Sequence, residues 1–173
     1  MTLKKIKILY ISRTSKFTGA ENILLDIVKY INMEAFHSVV ALPDKEGFFY
    51  EKLVESGIET IVVRMPFLHF TYNPFLIIWF AFSIIAVNIA FLFIISRHKA
   101  DIIVCNTIQE AFYVSLPAKL LRKKLIIYFK NILDKKWKKY IRAKFAGLFA
   151  DRIIAVSKKG DEVKLEKALG KME

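Results

Sequence analysis

At 173 residues, 55% of them hydrophobic and 14% aromatic, the chain is too apolar for a disordered polypeptide and long enough for one domain with its own core. Lys and Arg number 28 against 16 Asp and Glu, a net charge of +12, which points to an anionic partner, either a membrane surface or a nucleic acid. The single cysteine, Cys105, rules out an internal disulfide and fits a reducing compartment.

The N-terminus is basic at Lys4, Lys5 and Lys7, but the apolar run that follows is short and is closed by Arg13, so no secretory leader is expected. Residues 5–12 read as a buried strand and 20–32 as a helix, joined by the polar loop Arg13 to Thr18. Such a strand–loop–helix unit opens a doubly wound sheet. Ligands bind in the loop that leaves its first strand, and the dipole and amides of the helix start favour a phosphate or carboxylate. A second strand (37–42) is closed by Pro43, and a short helix (47–56) is stopped by Gly57. A third strand (58–63) leads through a linker (64–73) to a long apolar helix, Pro74 to Ile95. Then follow a strand (101–105), a helix (107–121), a strand (124–129), a basic helix (137–149), a strand (152–156) and a last helix from about Lys158. This alternation predicts an α/β fold, a doubly wound parallel sheet of Rossmann-like type with helices on both faces. No repeat and no second domain boundary is visible, so residues 1–173 are expected to form one domain.

Between Phe75 and Ile95 only Ser83 and Asn88 are polar. Three readings compete: a core helix, a helix lying in one leaflet, and a true span. The run is long enough, at roughly 30 Å, to cross a bilayer core. A span would part strands one to three from strands four to six and leave each half-sheet with a bare edge. A pure core helix should keep a wet face, and this run shows none. The leaflet reading is therefore favoured, with Trp79, Phe82 and Phe91 as lipid-contacting residues. Between Lys119 and Lys144 stand eleven Lys or Arg and one acid, Asp134. Lys135, Lys136, Trp137 and Lys139 suit docking on anionic headgroups; a solvated helix face is the plainer alternative. Nucleic acid is disfavoured as a partner because no RNA-binding module signature appears.

The ordered set of segments resembles the N-terminal domain of family 4 glycosyltransferases of the GT-B fold. The segments are Ile8 to Ser12, Gly19-Ala20-Glu21 with the helix to Tyr30, His37 to Pro43, Leu53 to Ile58, Asn73-Pro74, Asp101 to Asn106, and Ala150 to Ser157. The resemblance implies a half-enzyme that holds the acceptor, with the donor-binding C-terminal domain absent from this chain and supplied by another domain or subunit. It implies transfer of a sugar from a nucleotide-sugar to a lipid-linked or cell-surface glycan, or, in the alternative, a non-catalytic subunit that recruits a catalytic partner to the membrane. The expected location is cytoplasmic, peripheral or monotopic on the inner membrane face. No cofactor is expected on this half, because the nucleotide-sugar belongs to the other. No metal is expected, since Cys and His lack ligand spacing.

Carried over by position, Gly19, Ala20, Glu21, Asn106 and Lys130 form the acceptor- or phosphate-binding set, and no catalytic residue is assigned. Plainer roles stand beside these: a turn glycine at Gly19, a helix-start carboxyl at Glu21, a helix cap at Asn106. The chain departs from the family after the fifth strand, where the family often carries a His followed by an Arg and an Asp. Here the segment is Tyr128-Phe129-Lys130-Asn131, and Tyr128 is a poor base at neutral pH. His37, His69 and His98 all fall elsewhere. A retaining transfer does not need that base, because the leaving phosphate can take the proton.

Overall fold

Six short runs rich in Ile, Val and Leu become six parallel strands in one sheet. The computed structural model describes residues 4–66, 73–129, 144–145 and 147–155. In chain order the elements are β1 (Ile6–Ile11), α1 (Gly19–Tyr30), β2 (Phe36–Leu42), α2 (Phe48–Glu55), β3 (Glu59–Val62), α3 (Pro74–His98), β4 (Ile102–Cys105), α4 (Ile108–Leu120), β5 (Lys124–Phe129) and β6 (Arg152–Ala155). The strand order is β3-β2-β1-β4-β5-β6. Every pairing is parallel, as helical crossovers between strands require. The expected fold class is the observed one. The expected helix over 137–149 is seen only at residues 144–145 and 147–149; the rest of it, and the last helix, lie outside the described residues.

Alternation along the strands builds two cores. Leu9, Ile11, Val39, Ile103, Cys105, Leu125 and Ile127 face α3 and α4, where they meet Val87, Phe91, Ile95, Ala111, Val114 and Ala118. Ile8, Tyr10, Val40, Leu42 and Val104 face the other way, onto Leu24, Leu25 and Val28 of α1 and Phe49 and Leu53 of α2. The chain winds outward from β1 through β2 to β3, then returns past β1 to β4. The crevice between β1 and β4 is thus the topological switch point. Register puts Ile11 opposite Cys105, so the loops leaving both strands emerge side by side at the carboxyl edge of the sheet.

The long helix α3 resolves into two unlike halves. Asn73 caps it, its side chain accepting from the Phe75 amide at 3.0 Å, and Pro74 occupies the first turn. The helix runs three residues past the expected end and stops where Lys99 takes a left-handed conformation (φ 52°). Its second half buries Val87, Phe91 and Ile95, which recur every four residues and so share a face. Asn88 is buried with them; its Nδ2 donates to the Phe112 carbonyl of α4 at 3.1 Å and to the Ile84 carbonyl at 2.8 Å. The first half is bare: Phe75 is 80% exposed, Trp79 64% and Phe82 67%. Phe91 corrects the sequence reading. It is fully buried against the sheet and cannot touch lipid in this fold. The two halves of the sheet also stay joined through the β1–β4 pairing, so α3 does not divide them.

Candidate functional site

The carboxyl ends of β1 and β4 deliver Ser12 and Asn106 to one spot. The Asn106 amide donates to the Ile11 carbonyl at 3.1 Å, and the Ser12 amide to the Ala41 carbonyl at 3.0 Å, so both residues begin their loops while still held by the sheet. Glu21, in the first turn of α1, reaches down between them. Its Oε1 accepts from Asn106 Nδ2 at 3.0 Å and lies 3.2 Å from Ser12 Oγ, and its Oε2 accepts from Thr18 Oγ1. Ser12 Oγ also lies 3.1 Å from the Thr14 carbonyl, so its single proton serves one acceptor at a time. Glu21 and Asn106 are both buried. Removing either would leave buried donors or acceptors without partners, a loss of about 1–3 kcal/mol each.

A second carboxyl group lies behind the first. Glu110 Oε1 accepts from the Arg13 amide at 3.1 Å and Oε2 from the Thr107 amide at 2.5 Å. The Thr107 hydroxyl accepts in return from the Gln109 amide at 3.3 Å, and Thr107 and Glu110 form a capping box at the start of α4. Glu110 therefore stitches the β1–α1 loop to the β4–α4 loop. Burial pushes its carboxyl up to about 8, against the lowering effect of the two amides and Arg13.

Of the site residues expected from sequence, Glu21 and Asn106 come together directly. Asn106 is not the helix cap; Thr107 is. Glu21 does not offer its carboxyl outward, because the group is spent on Ser12, Thr18 and Asn106. Gly19 has no positive φ, so its conformational freedom is unused here. A Cβ placed on it would meet nothing within 4 Å, and it opens α1 at an exposed point where Thr18 supplies no side-chain cap. Ala20 follows it in the same first turn, half-buried. Lys130 lies outside the described residues, as do Lys135, Lys136, Trp137 and Lys139.

Sequence reasoning missed three contributors. Glu110 was signalled by the Thr107-to-Glu110 spacing, which is that of a capping box. Ser12 was read only as the end of a strand. Gly47 was taken as an ordinary helix start, yet it holds φ 117° and a Cβ there would lie 2.5 Å from the Ser15 carbonyl oxygen. That oxygen accepts from the Phe49 amide at 3.1 Å, and Ser15 Oγ donates to the Asp44 carbonyl at 3.1 Å. The absent side chain at Gly47 is what lets the β2–α2 loop press on the β1–α1 loop and fix it.

The matching family model is that of Glycosyltransferase Family 4, over residues 17–162. The chain belongs to glycosyltransferase family 4. None of the curated proteins matches it in sequence. Solved structures agree on the fold. The Anabaena protein Alr3699/HepE, crystallised with UDP and glucose, superposes with a TM-score of 0.64 at 22% identity, covering 96% of this chain and 41% of its own. A glycosyltransferase from Rickettsia africae gives 0.61 at 21% identity, covering 95% and 39%. MurG from Acinetobacter baumannii gives 0.63 at 11% identity, covering 89% and 42%. The chain thus spans about two fifths of the length of these neighbours and corresponds to one half of a GT-B fold.

The family 4 chain carries no described histidine at this edge. His37 and His98 flank Glu59 at 2.9 and 3.4 Å at the opposite, amino edge of the sheet, and His69 lies outside the described residues. Burial raises the Tyr128 hydroxyl, so it keeps its proton at neutral pH. Among the described residues, no three His, Cys, Asp or Glu side chains are grouped so as to hold a metal ion. The amino edge also bears a concavity of about 360 Å³ lined by Lys119, Arg122, Lys123 and Lys124 with Leu148 and Asp151. Lys124 pairs there with Asp151 at 3.1 Å.

Proposed function

We propose that this family 4 chain is the acceptor-binding half of a membrane-associated glycosyltransferase. It moves a sugar from a nucleotide-sugar to a lipid-linked or cell-surface glycan acceptor once a donor-binding half closes the cleft. One observation carries this reading: the chain is a family 4 domain that fills only one half of the two-domain fold. The shelf of Ser12, Glu21 and Asn106, braced by Glu110, stands at the switch point where α/β sheets receive ligands. In this reading Gly19 and Ala20 let a phosphate approach the start of α1, and Glu21 and Asn106 hold the loop in place instead of touching the acceptor themselves. Lys130, just past the carboxyl end of β5, serves as the phosphate partner.

Membrane association rests on α3, a helix long and apolar enough to cross a membrane by length and composition, and on the basic sequence after β5. Its side is the cytoplasmic one. A second reading, a recruiting subunit without catalytic groups, draws support from the engagement of Glu21 by Ser12, Thr18 and Asn106 and of Glu110 by the Arg13 and Thr107 amides.

The test is sugar transfer from a panel of radiolabelled nucleotide-sugars to a detergent-solubilised membrane lipid extract. The chain mixed with, or joined to, a donor-binding half transfers label, and residues 1–173 alone transfer none. Robust transfer by the isolated chain overturns the proposal.

A further inference from the structure

The two halves of α3 do different jobs, and their placement sets how the molecule sits on a membrane. Both α3 and α4 are crossover helices of a parallel sheet, so both run against the strands and begin at the carboxyl edge. The Asn88–Phe112 hydrogen bond aligns them. From that point α4 extends back about one turn to its start at Ile108, whereas α3 extends back about four turns to Pro74. The surplus, residues 74–83, of which 74–82 are apolar, runs beyond the edge that carries Ser12, Glu21 and Asn106. Phe75, Leu76, Ile77 and Ile78 are all exposed, and at about 100° per residue four successive positions point in every direction. A protein groove covers one side of a helix; a fluid apolar medium covers all of them.

We infer that the cleft-side half of α3, Pro74 to Phe82, is a monotopic anchor that enters one leaflet and turns the carboxyl edge of the sheet toward the headgroups. Two observations limit its depth. Nine helical residues span about 14 Å, close to half of a bilayer core of roughly 30 Å. The helix also starts here, and a start exposes backbone amides that cannot sit at the bilayer centre. The anchor therefore lies obliquely in the upper leaflet, with Trp79 at interfacial depth. The second half cannot enter on all sides, because Val87, Phe91 and Ile95 pack in the core; only its outer face, Ile85, Ile89 and Phe93, is exposed. Exposed Lys16 and Arg64 stand on loops of the carboxyl edge, where an anionic leaflet attracts them, while Lys45 is offset by its neighbours Asp44 and Glu46; the edge is assigned by the position of the bare helix and not by charge. This orientation narrows the acceptor to one whose reactive group lies at headgroup level, a lipid-linked glycan or lipid phosphate. It rests on the membrane-associated reading above.

The experiment uses the full chain with Trp137→Phe, leaving Trp79 as the single tryptophan, and vesicles of phosphatidylcholine with phosphatidylglycerol. Trp79 emission shifts to the blue, and lipids brominated on the upper acyl chain quench it at least twofold. Phe75→Asp with Phe82→Asp lowers vesicle partitioning about tenfold with an unchanged circular dichroism spectrum. A polarity-sensitive dye on Arg64→Cys, at the carboxyl edge, responds to vesicles, and the same dye on Lys119→Cys, at the amino edge, does not; Cys105 is fully buried and stays unlabelled. Unquenched Trp79 overturns the inference. So does a response at position 119 in place of 64, which would make the basic cavity of the amino edge the docking face. Because sugar transfer is assayed on solubilised acceptor, these outcomes leave the transferase reading standing or falling on its own.

Discussion

Glu110 shows how one buried group can hold a site without facing it. Both of its carboxyl oxygens are committed to backbone amides, one from each of the two loops that leave the switch point. Burial raises its carboxyl from 4.5 to about 8, with the nearby Glu21 adding a smaller push in the same direction. For an acid the sign follows directly. The unfolded chain releases this proton near pH 4.5, while the folded chain keeps it to about pH 8. The group's contribution is complete below pH 4.5 and is lost as pH rises through that window. The loss is of the order of a few kcal/mol. Glu110→Gln, measured by urea denaturation at several pH values, should flatten the fall in stability between pH 4.5 and 8. It should also lower stability at acid pH by about 1–2 kcal/mol, since an amide cannot accept from both loops. An unchanged slope would contradict this assignment. The capping half of this arrangement was legible in the Thr107-to-Glu110 spacing. The other half was not, because Arg13 lies 97 positions away in the chain and only the β1–β4 pairing brings it near. Glu21 and Asn106 stand at one edge of the sheet, but their mutual hydrogen bond, across 85 positions, is a product of the same pairing and was not legible.

At the scale of elements, the strands and helices were legible because most apolar runs are closed by Gly, Pro or a polar or charged turn, and the runs alternate in period. α3 was the hard case. Its hydropathy is nearly uniform, so nothing in the sequence tells the face that packs on the sheet from the part that does not. The structure places one face of the second half, Val87, Phe91 and Ile95, in the core and leaves Ile85, Ile89 and Phe93 exposed on the other, while the first half is bare. Phe91 and Phe82 lie on the same apolar run and differ only in what the tertiary structure places beside them. Phe91→Ala should destabilise the fold by about 3–5 kcal/mol, the cost of a large cavity, while Phe82→Ala should change it by less than about 0.5 kcal/mol. Chemical denaturation of the two variants checks this. Equal losses would mean that the helix packs differently.

For the whole molecule, the fold class follows from the order of elements and was readable from it. The family resemblance named the half to which the chain corresponds, and the family match bears that out. Sequence could not show that the two loops at the switch point are locked to each other, nor that α3 overruns the same edge, because both depend on which strands lie side by side. The account makes the carboxyl edge of β1 and β4 one wall of a cleft whose other wall belongs to a donor-binding half. Amide hydrogen exchange, with and without such a half, measures this most directly. Amides of residues 13–19 and 106–109 should gain protection on its addition, while residues 121–123 at the amino edge should not. Protection confined to the amino edge, or none at either edge, would contradict the account.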